Sequence, residues 1–209
     1  HGTYGEDGTL QGMLEILDAA YIGAGVLGSA VAMDKAVCKH VAMAGGIPIL
    51  PYKVFNRSEI AQDIAKVAEE SEKIAGYPLF VKPSNLGSSV GISKVTNKEE
   101  LLAGLAYAAR FDRRVLVERG INAREIEISL LGNDMVEASV PGEIVPDDIF
   151  YTYEDKYHHG EPEMCVPAPM SPERTQEVIG YAKEVYQLID CSGMARVDFL
   201  IDKATDELF

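Results

Sequence analysis

Hydrophobic positions along the chain recur with two periods, one near 3.6 residues and one near two, and the changes of period mark its elements. Tyr4 to Ala20 passes from a Gly/Asp-rich turn into the spaced apolar run Leu10, Met13, Leu14 and Leu17, predicting a loop that feeds an amphipathic helix. Asp34 to Ala44 predicts a second helix, stopped by Gly45 and Gly46, after which Pro48 and Pro51 keep the chain extended. Asn56 to Ala75 predicts a third, with Asn56 and Glu59 as a capping pair and Gly76 closing its end. Leu79 to Lys82 and Val90 to Val95 predict a hairpin with the long tip Pro83 to Ser89. Thr96 and Glu99 are spaced as a capping box for a helix reaching Arg110. Three strands should follow, Arg114 to Glu118, Arg124 to Leu131 and Met135 to Pro141. Asp147 to Pro169 has no period and predicts a long loop, a length that belongs to functional lids or disordered segments. Ser171 caps a helix with Pro172 in its first turn, running to Ile189, and Met194 to Ile201 is a last strand. There are no internal repeats.

Composition narrows the function classes. With 47% hydrophobic and 25% charged residues, the chain can bury the core of one or two domains. A net charge of −14 without any basic stripe excludes a nucleic-acid partner, but leaves room for a nucleotide, whose phosphates need only a few lysines and backbone N–H groups. Cys38, Cys165 and Cys191 lack metal-site or disulfide spacing, so a reducing cytoplasm fits best. The apolar stretch Ala19 to Met33 is glycine-rich and shorter than the roughly 20 residues of a membrane span. The first residues carry no signal-peptide pattern, and the absence of an initiator Met suggests a start inside a larger protein.

Four segments can carry chemistry. The loop Pro83 to Ser89, directly after Lys82, offers N–H groups and hydroxyls for phosphates, although a Gly-Ser-Ser tip can equally be a plain turn. It is not a Walker A loop, because the lysine precedes it and a strand follows. In Arg124 to Leu131, alternation places Ile126, Ile128 and Leu130 on one face and Glu125, Glu127 and Ser129 on the other. With Glu118 closing the preceding strand, carboxylates there could accept hydrogen bonds from sugar hydroxyls, or simply face water. Arg196 and Asp198 share a strand face about 7 Å apart, suited to an oxyanion and a metal or to a salt bridge. Tyr151, Tyr153, Lys156 and Tyr157 could close over a substrate or be merely exposed, and His158 and His159 lack a third metal ligand.

The order of these segments resembles the bacterial D-alanine:D-alanine ligases. The matching stretches are HGTYGEDGTLQG at His1 to Gly12, SAVAMDK at Ser29 to Lys35, and FVKPSNLGSSVGISKV at Phe80 to Val95. Further along come VLVERGINAREIEISLLG at Val115 to Gly132, FYTYEDKY at Phe150 to Tyr157, and GMARVDF at Gly193 to Phe199. The resemblance implies an α+β ATP-grasp fold, with two α+β subdomains gripping ATP and the tail end of an α/β N-terminal domain. Its divisions would be residues 1–24, 25–117 and 118–209, the last truncated. It further implies that Lys35 and Lys82 contact ATP phosphates beneath a flap at Gly87, Ser88 and Ser89. Glu118 and Glu125 would hold the adenosine, with Arg119 beside the adenine. Ser88, Lys156 and Tyr157 would join two loops over the site, with Lys156 also contacting the nucleotide. Arg196 would stabilise the tetrahedral intermediate, Asp198 would ligate magnesium, and His1 would stand near the first D-alanine. Two Mg²⁺ ions are expected, with Mn²⁺ as a substitute, in a cytoplasmic homodimer with no membrane partner.

The same resemblance implies further segments: an acidic residue ahead of His1, and a second acidic metal ligand, an asparagine ligand and a Pro-Gly turn after Phe209. The 209 residues alone are therefore expected not to turn over. D-serine is the nearest alternative acceptor, and Tyr157 argues against D-lactate. HGTYGEDG argues against other ATP-grasp ligases, and a non-catalytic nucleotide-binding module is the reading from another class.

Overall fold

The computed structural model describes residues 2–145 and 163–209. These residues form, in order, α1 (Thr9–Ile16), α2 (Val26–Met33), α3 (Lys35–Ala44), β1 (Tyr52–Asn56), α4 (Arg57–Gln62), α5 (Ile64–Glu72), β2 (Leu79–Pro83), β3 (Ser93–Val95) and α6 (Lys98–Ala108). There follow β4 (Arg114–Arg119), β5 (Ala123–Gly132), β6 (Val136–Ala138), β7 (Gly142–Val145), β8 (Glu163–Cys165), α7 (Pro172–Leu188) and β9 (Gly193–Asp202). The mixture of helices and antiparallel sheet is the expected α+β class. Two compact units result: Met33–Ala36 with Leu50–Ile121, and the described residues of His1–Ala32, Val37–Ile49 and Asn122–Phe209.

The first unit is built on an antiparallel sheet in the order β1-β4-β2-β3. Alternation sends Phe55, Leu79, Val81, Val95, Val115 and Val117 to one face, where they pack with Ile60 of α4, Val67 and Ala68 of α5, and Leu101 and Leu105 of α6. The other face carries Tyr52, Phe80, Lys82, Leu116 and Glu118, since Glu118 pairs with both Tyr52 and Phe80 and Lys82 pairs with Leu116.

In the second unit β5 is central. It pairs along its whole length with β9, and its other edge takes β6 and then β7, which pairs with β8. Ile126, Ile128, Leu130, Phe199 and Ile201 pack under Val178, Ala182 and Tyr186 of α7. The opposite face carries Glu125, Glu127, Ser129, Arg196 and Asp198, as the alternation requires.

Several elements depart from expectation. The helix expected over Asn56 to Ala75 is two helices broken at Asp63, whose backbone leaves the helical region (φ −157°, ψ 82°) while its carboxylate accepts from Lys66 N–H at 3.0 Å. Asp63 thus caps a new helix rather than continuing the old one. β1 occupies the segment after Pro51 that lacked a visible period, and α2 forms within the glycine-rich apolar stretch. The box before α6 sits one residue later than Thr96/Glu99: Asn97 caps the Glu100 N–H at 2.9 Å while Glu100 accepts from Thr96 N–H at 2.7 Å. Of the strand expected over Met135 to Pro141 only β6 forms, and β7, which had not been expected, begins just after Pro141, a residue with no N–H for the ladder. β8 lies inside the expected long loop, whose residues 147–162 are outside the described ones.

Candidate functional site

On the open face of the first sheet, the Lys82 ammonium ion-pairs with the Glu118 carboxylate and lies 5.3 Å over the Phe80 ring. Glu118 is only 3% exposed. Lys35 opens α3 and donates its ammonium to the Leu86 carbonyl of the loop that follows β2. Burial, then the charge of Lys82, push Lys35 down from 10.5 to about 8, against the opposing pull of Glu118, Asp34 and Asp112. A lysine so disfavoured by desolvation and a like charge is a site where a polyanion would be welcome. Arg119 follows Glu118 on β4 and so projects from the other face, its N–H bonded to the Pro51 carbonyl at 3.0 Å.

The β2–β3 loop is anchored at both ends. At its entry, Ser84 N–H bonds the Arg114 carbonyl at 3.0 Å, and Asn85 N–H bonds the Asp112 carboxylate at 2.7 Å. At its exit, Gly91 (φ +74°) approaches so closely that a Cβ there would stand 2.7 Å from Pro83 and 2.9 Å from Phe111. At the tip, Ser88 (φ 52°) and Ser89 (φ 59°) are both left-handed, and Val90 N–H reaches the Gly87 carbonyl at 3.2 Å. Two successive positive φ values make this a mirror-image turn, held at some steric cost for residues with a Cβ. A Cβ on Gly87 would meet nothing within 4 Å.

The second unit's polar face gathers a different set. Arg196 donates from Nε and Nη2 to the two Asp198 oxygens at 2.7 and 2.8 Å, and its Nη1 stands 3.1 Å from Glu127. The register explains this, since Asp198 lies directly across from Glu127 and Arg196 from Ser129. The hydrogen bonds to Asp198, foremost, together with the Asp198, Glu127 and Glu6 charges, raise the Arg196 guanidinium above its ordinary value. Glu127 had no predicted role, although the alternation that exposed Glu125 pointed to it. Glu125 is exposed on the same face, across from Leu200.

Among the described residues no three His, Cys, Asp or Glu side chains gather as a metal cage. Asp198 and Glu127 do present facing carboxylates. Magnesium typically takes one or two such oxygens and completes its shell with phosphate and water, so this donor set suits an ion that arrives with a nucleotide. In the Gly-rich segment near the start, Glu6 accepts from Gly2 N–H at 2.6 Å, while Asp7 accepts from Tyr4 and Thr9 N–H at 2.8 and 3.0 Å and leads into α1. His1, Lys156 and Tyr157 lie outside the described residues. Sequence reasoning missed the buried pair Asp34 and Ser84, with the partly buried Arg114, behind Lys35, because its members are far apart in the chain.

Residues 41–209 match the family model described as the D-Ala D-Ala ligase C-terminus. The chain is 48% identical over 209 residues to a D-alanine–D-alanine ligase of Clostridium novyi, covering all of this chain and 61% of that one. Among solved structures, the D-alanine-D-alanine ligase of Coxiella burnetii is 34% identical with a TM-score of 0.83, over all of this chain and 55% of that one. The VanG D-Ala:D-Ser ligase of Enterococcus faecalis is 33% identical with a TM-score of 0.85, over all of this chain and 61% of that one. The chain thus spans about six tenths of the length of the curated relatives it matches. With two antiparallel sheets, each presenting a charged face away from its helices, and with that family match over most of its length, the chain belongs to the D-alanine–D-alanine ligase family and has its ATP-grasp fold.

Proposed function

We propose that the protein containing this chain is an ATP-dependent ligase that joins two D-alanines through a D-alanyl phosphate, supplying D-alanyl-D-alanine for peptidoglycan in the cytoplasm. The observation that carries the reading is the convergence of Lys35 and Lys82 beside an anchored, glycine-containing loop, in a chain of this family. The two ammoniums would meet the ATP phosphates, with Gly87, Ser88 and Ser89 covering them. Glu118 and Glu125 would accept hydrogen bonds from adenosine, and Arg119 would contribute beside the adenine through its backbone. Ser88, Lys156 and Tyr157 would close the loops over the reactants, with Lys156 also touching the nucleotide, and His1 would stand near the first D-alanine.

A carboxylate resists amines because its oxygen leaves poorly. The first D-alanine carboxylate attacks the γ-phosphorus, ADP departs, and the acyl phosphate now carries a good leaving group. The amine of the second D-alanine attacks that carbonyl, Arg196 stabilises the oxyanion, and inorganic phosphate leaves as the amide forms. Magnesium, or manganese in its place, would neutralise phosphate charge when bound, with Asp198 and Glu127 as the described carboxylates able to hold it. Arg196 must exchange its present bidentate partner for substrate, which frees Asp198 for the metal.

The test is phosphate release by the full-length protein with ATP and D-alanine, with dipeptide identified by mass. Arg196→Met should lower kcat by about a hundredfold or more, the usual loss of an oxyanion donor. Absence of ATP- and D-alanine-dependent phosphate release would sink the reading. The likeness to the VanG enzyme favours D-serine as the second reading, and competition between the two acceptors over a range of pH decides it.

A further inference from the structure

Behind Lys35 lies a buried polar group. Ser84 is fully buried and Asp34 is 8% exposed. The Ser84 hydroxyl donates to Asp34 Oδ1 at 2.8 Å and accepts from Ala36 N–H at 3.2 Å, while the Ser84 carbonyl accepts from Lys35 N–H at 2.9 Å. The other Asp34 oxygen is held by the Arg114 guanidinium from the start of β4. Asp34 occupies the position from which an acidic residue ordinarily caps a helix, yet the hydroxyl that meets the second N–H of α3 is supplied by Ser84. Ser84 also stands two residues after Lys82. One buried residue therefore fixes the backbone of both candidate phosphate lysines, and Asp34 and Arg114 fix that residue.

We infer that Ser84, oriented by Asp34 and Arg114, is a positioning residue that sets the spacing of Lys35 and Lys82 for a nucleoside triphosphate. The inference rests on the ligase reading above. Neutral filler of similar size would satisfy packing equally well, and a buried ion pair is by itself weak evidence for stability. What the cluster secures is where two lysine stems begin. The charged groups facing the Lys35 ammonium are Lys82 from β2, Glu118 from β4, Asp112 from the turn before β4, and Asp34 at its own helix start. Asp34 thus acts on Lys35 both through Ser84 and through its charge.

Three variants of the full-length protein test this. Ser84→Ala removes the hydroxyl, Ser84→Thr keeps it, and Asp34→Asn keeps the acceptor for Ser84 while removing the charge. Loss of one such hydrogen bond should raise KM for ATP about five- to tenfold in Ser84→Ala, with KM for D-alanine unchanged and Ser84→Thr restoring ATP affinity. Asp34→Asn should move the alkaline limb of ATP affinity to lower pH, because Lys35 loses a charge that favours its protonated form. A purely structural role would lower thermal stability without that split. If Ser84→Ala fails to fold, Asp34→Ala, which leaves the Ser84 hydroxyl without its acceptor, decides the matter through the same split: a raised KM for ATP with an unchanged KM for D-alanine supports positioning, and equal changes overturn it. Variants that fold and bind ATP within twofold of the unaltered protein, with the same pH limb, overturn the positioning role alone. An unaltered protein that binds no ATP overturns both this role and the ligase reading.

Discussion

Burial and the neighbouring Lys82 hold Lys35 at about 8 where an ordinary lysine titrates at 10.5, so between those values the unfolded chain binds more protons than the folded one. Folding stability consequently rises as pH climbs from about 8 to 10.5 and is lowest, on this account, below 8. At about 1.4 kcal/mol per pH unit the burden at neutral pH is at most about 3 kcal/mol, less about 2 for the charge-assisted hydrogen bond to Leu86. Lys35→Met should therefore stabilise the protein by about 1 kcal/mol near neutral pH and flatten the alkaline rise, as read by urea unfolding. A variant no more stable than its parent would refute the buried charge. Triphosphate binding should return Lys35 towards its ordinary value, so near pH 9 it should take up close to one proton per nucleotide. Calorimetry in buffers of differing ionisation enthalpy measures that uptake, and zero uptake would count against Lys35 as a phosphate ligand. Lys35, Lys82, Arg196 and Asp198 were legible because motif and alternation expose them locally. Asp34, Ser84 and Arg114 were not, since their hydrogen bonds join residues 50 and 80 positions apart.

At the scale of elements, alternation in β5 and β9 read correctly because one face meets α7 and the other carries charge. The break between α4 and α5 was invisible because Asp63 falls where a continuous amphipathic helix would also show a polar residue. Asp63→Ala should destabilise by about 1 kcal/mol through loss of the α5 cap, seen as a lowered melting temperature, whereas a surface aspartate would change almost nothing. β9 begins at Gly193 (φ +71°), where a Cβ would stand 2.3 Å from the Gly23 carbonyl oxygen. Gly193→Ala combines a left-handed backbone with a clash against main chain, and should cost about 2 kcal/mol or more. It should also displace Arg196, lowering ligase turnover beyond what thermal stability alone explains. Unchanged stability and turnover together would show that Gly23 can move aside.

At the scale of the molecule, the partition into Met33–Ala36 with Leu50–Ile121 and the remainder could not be read from composition, because each unit draws on separated stretches of chain. Net charge offered no guide either: −14 overall coexists with a local pair of lysines. If triphosphate binds with magnesium, saturating it a hundredfold over Kd should stabilise the folded protein by about 2.7 kcal/mol, and EDTA should remove most of that gain in a thermal melt. A gain indifferent to EDTA would argue against Asp198 as a metal ligand. The loop after β2 is fastened at Ser84, Asn85 and Gly91 and touched by Lys35 at Leu86, while a Cβ on Gly87 would meet nothing within 4 Å. Because the Lys35 ammonium rests on the Leu86 carbonyl, the cover and one lysine move as a single piece, and a residue inserted just before Gly87 would carry that charge along with the lid.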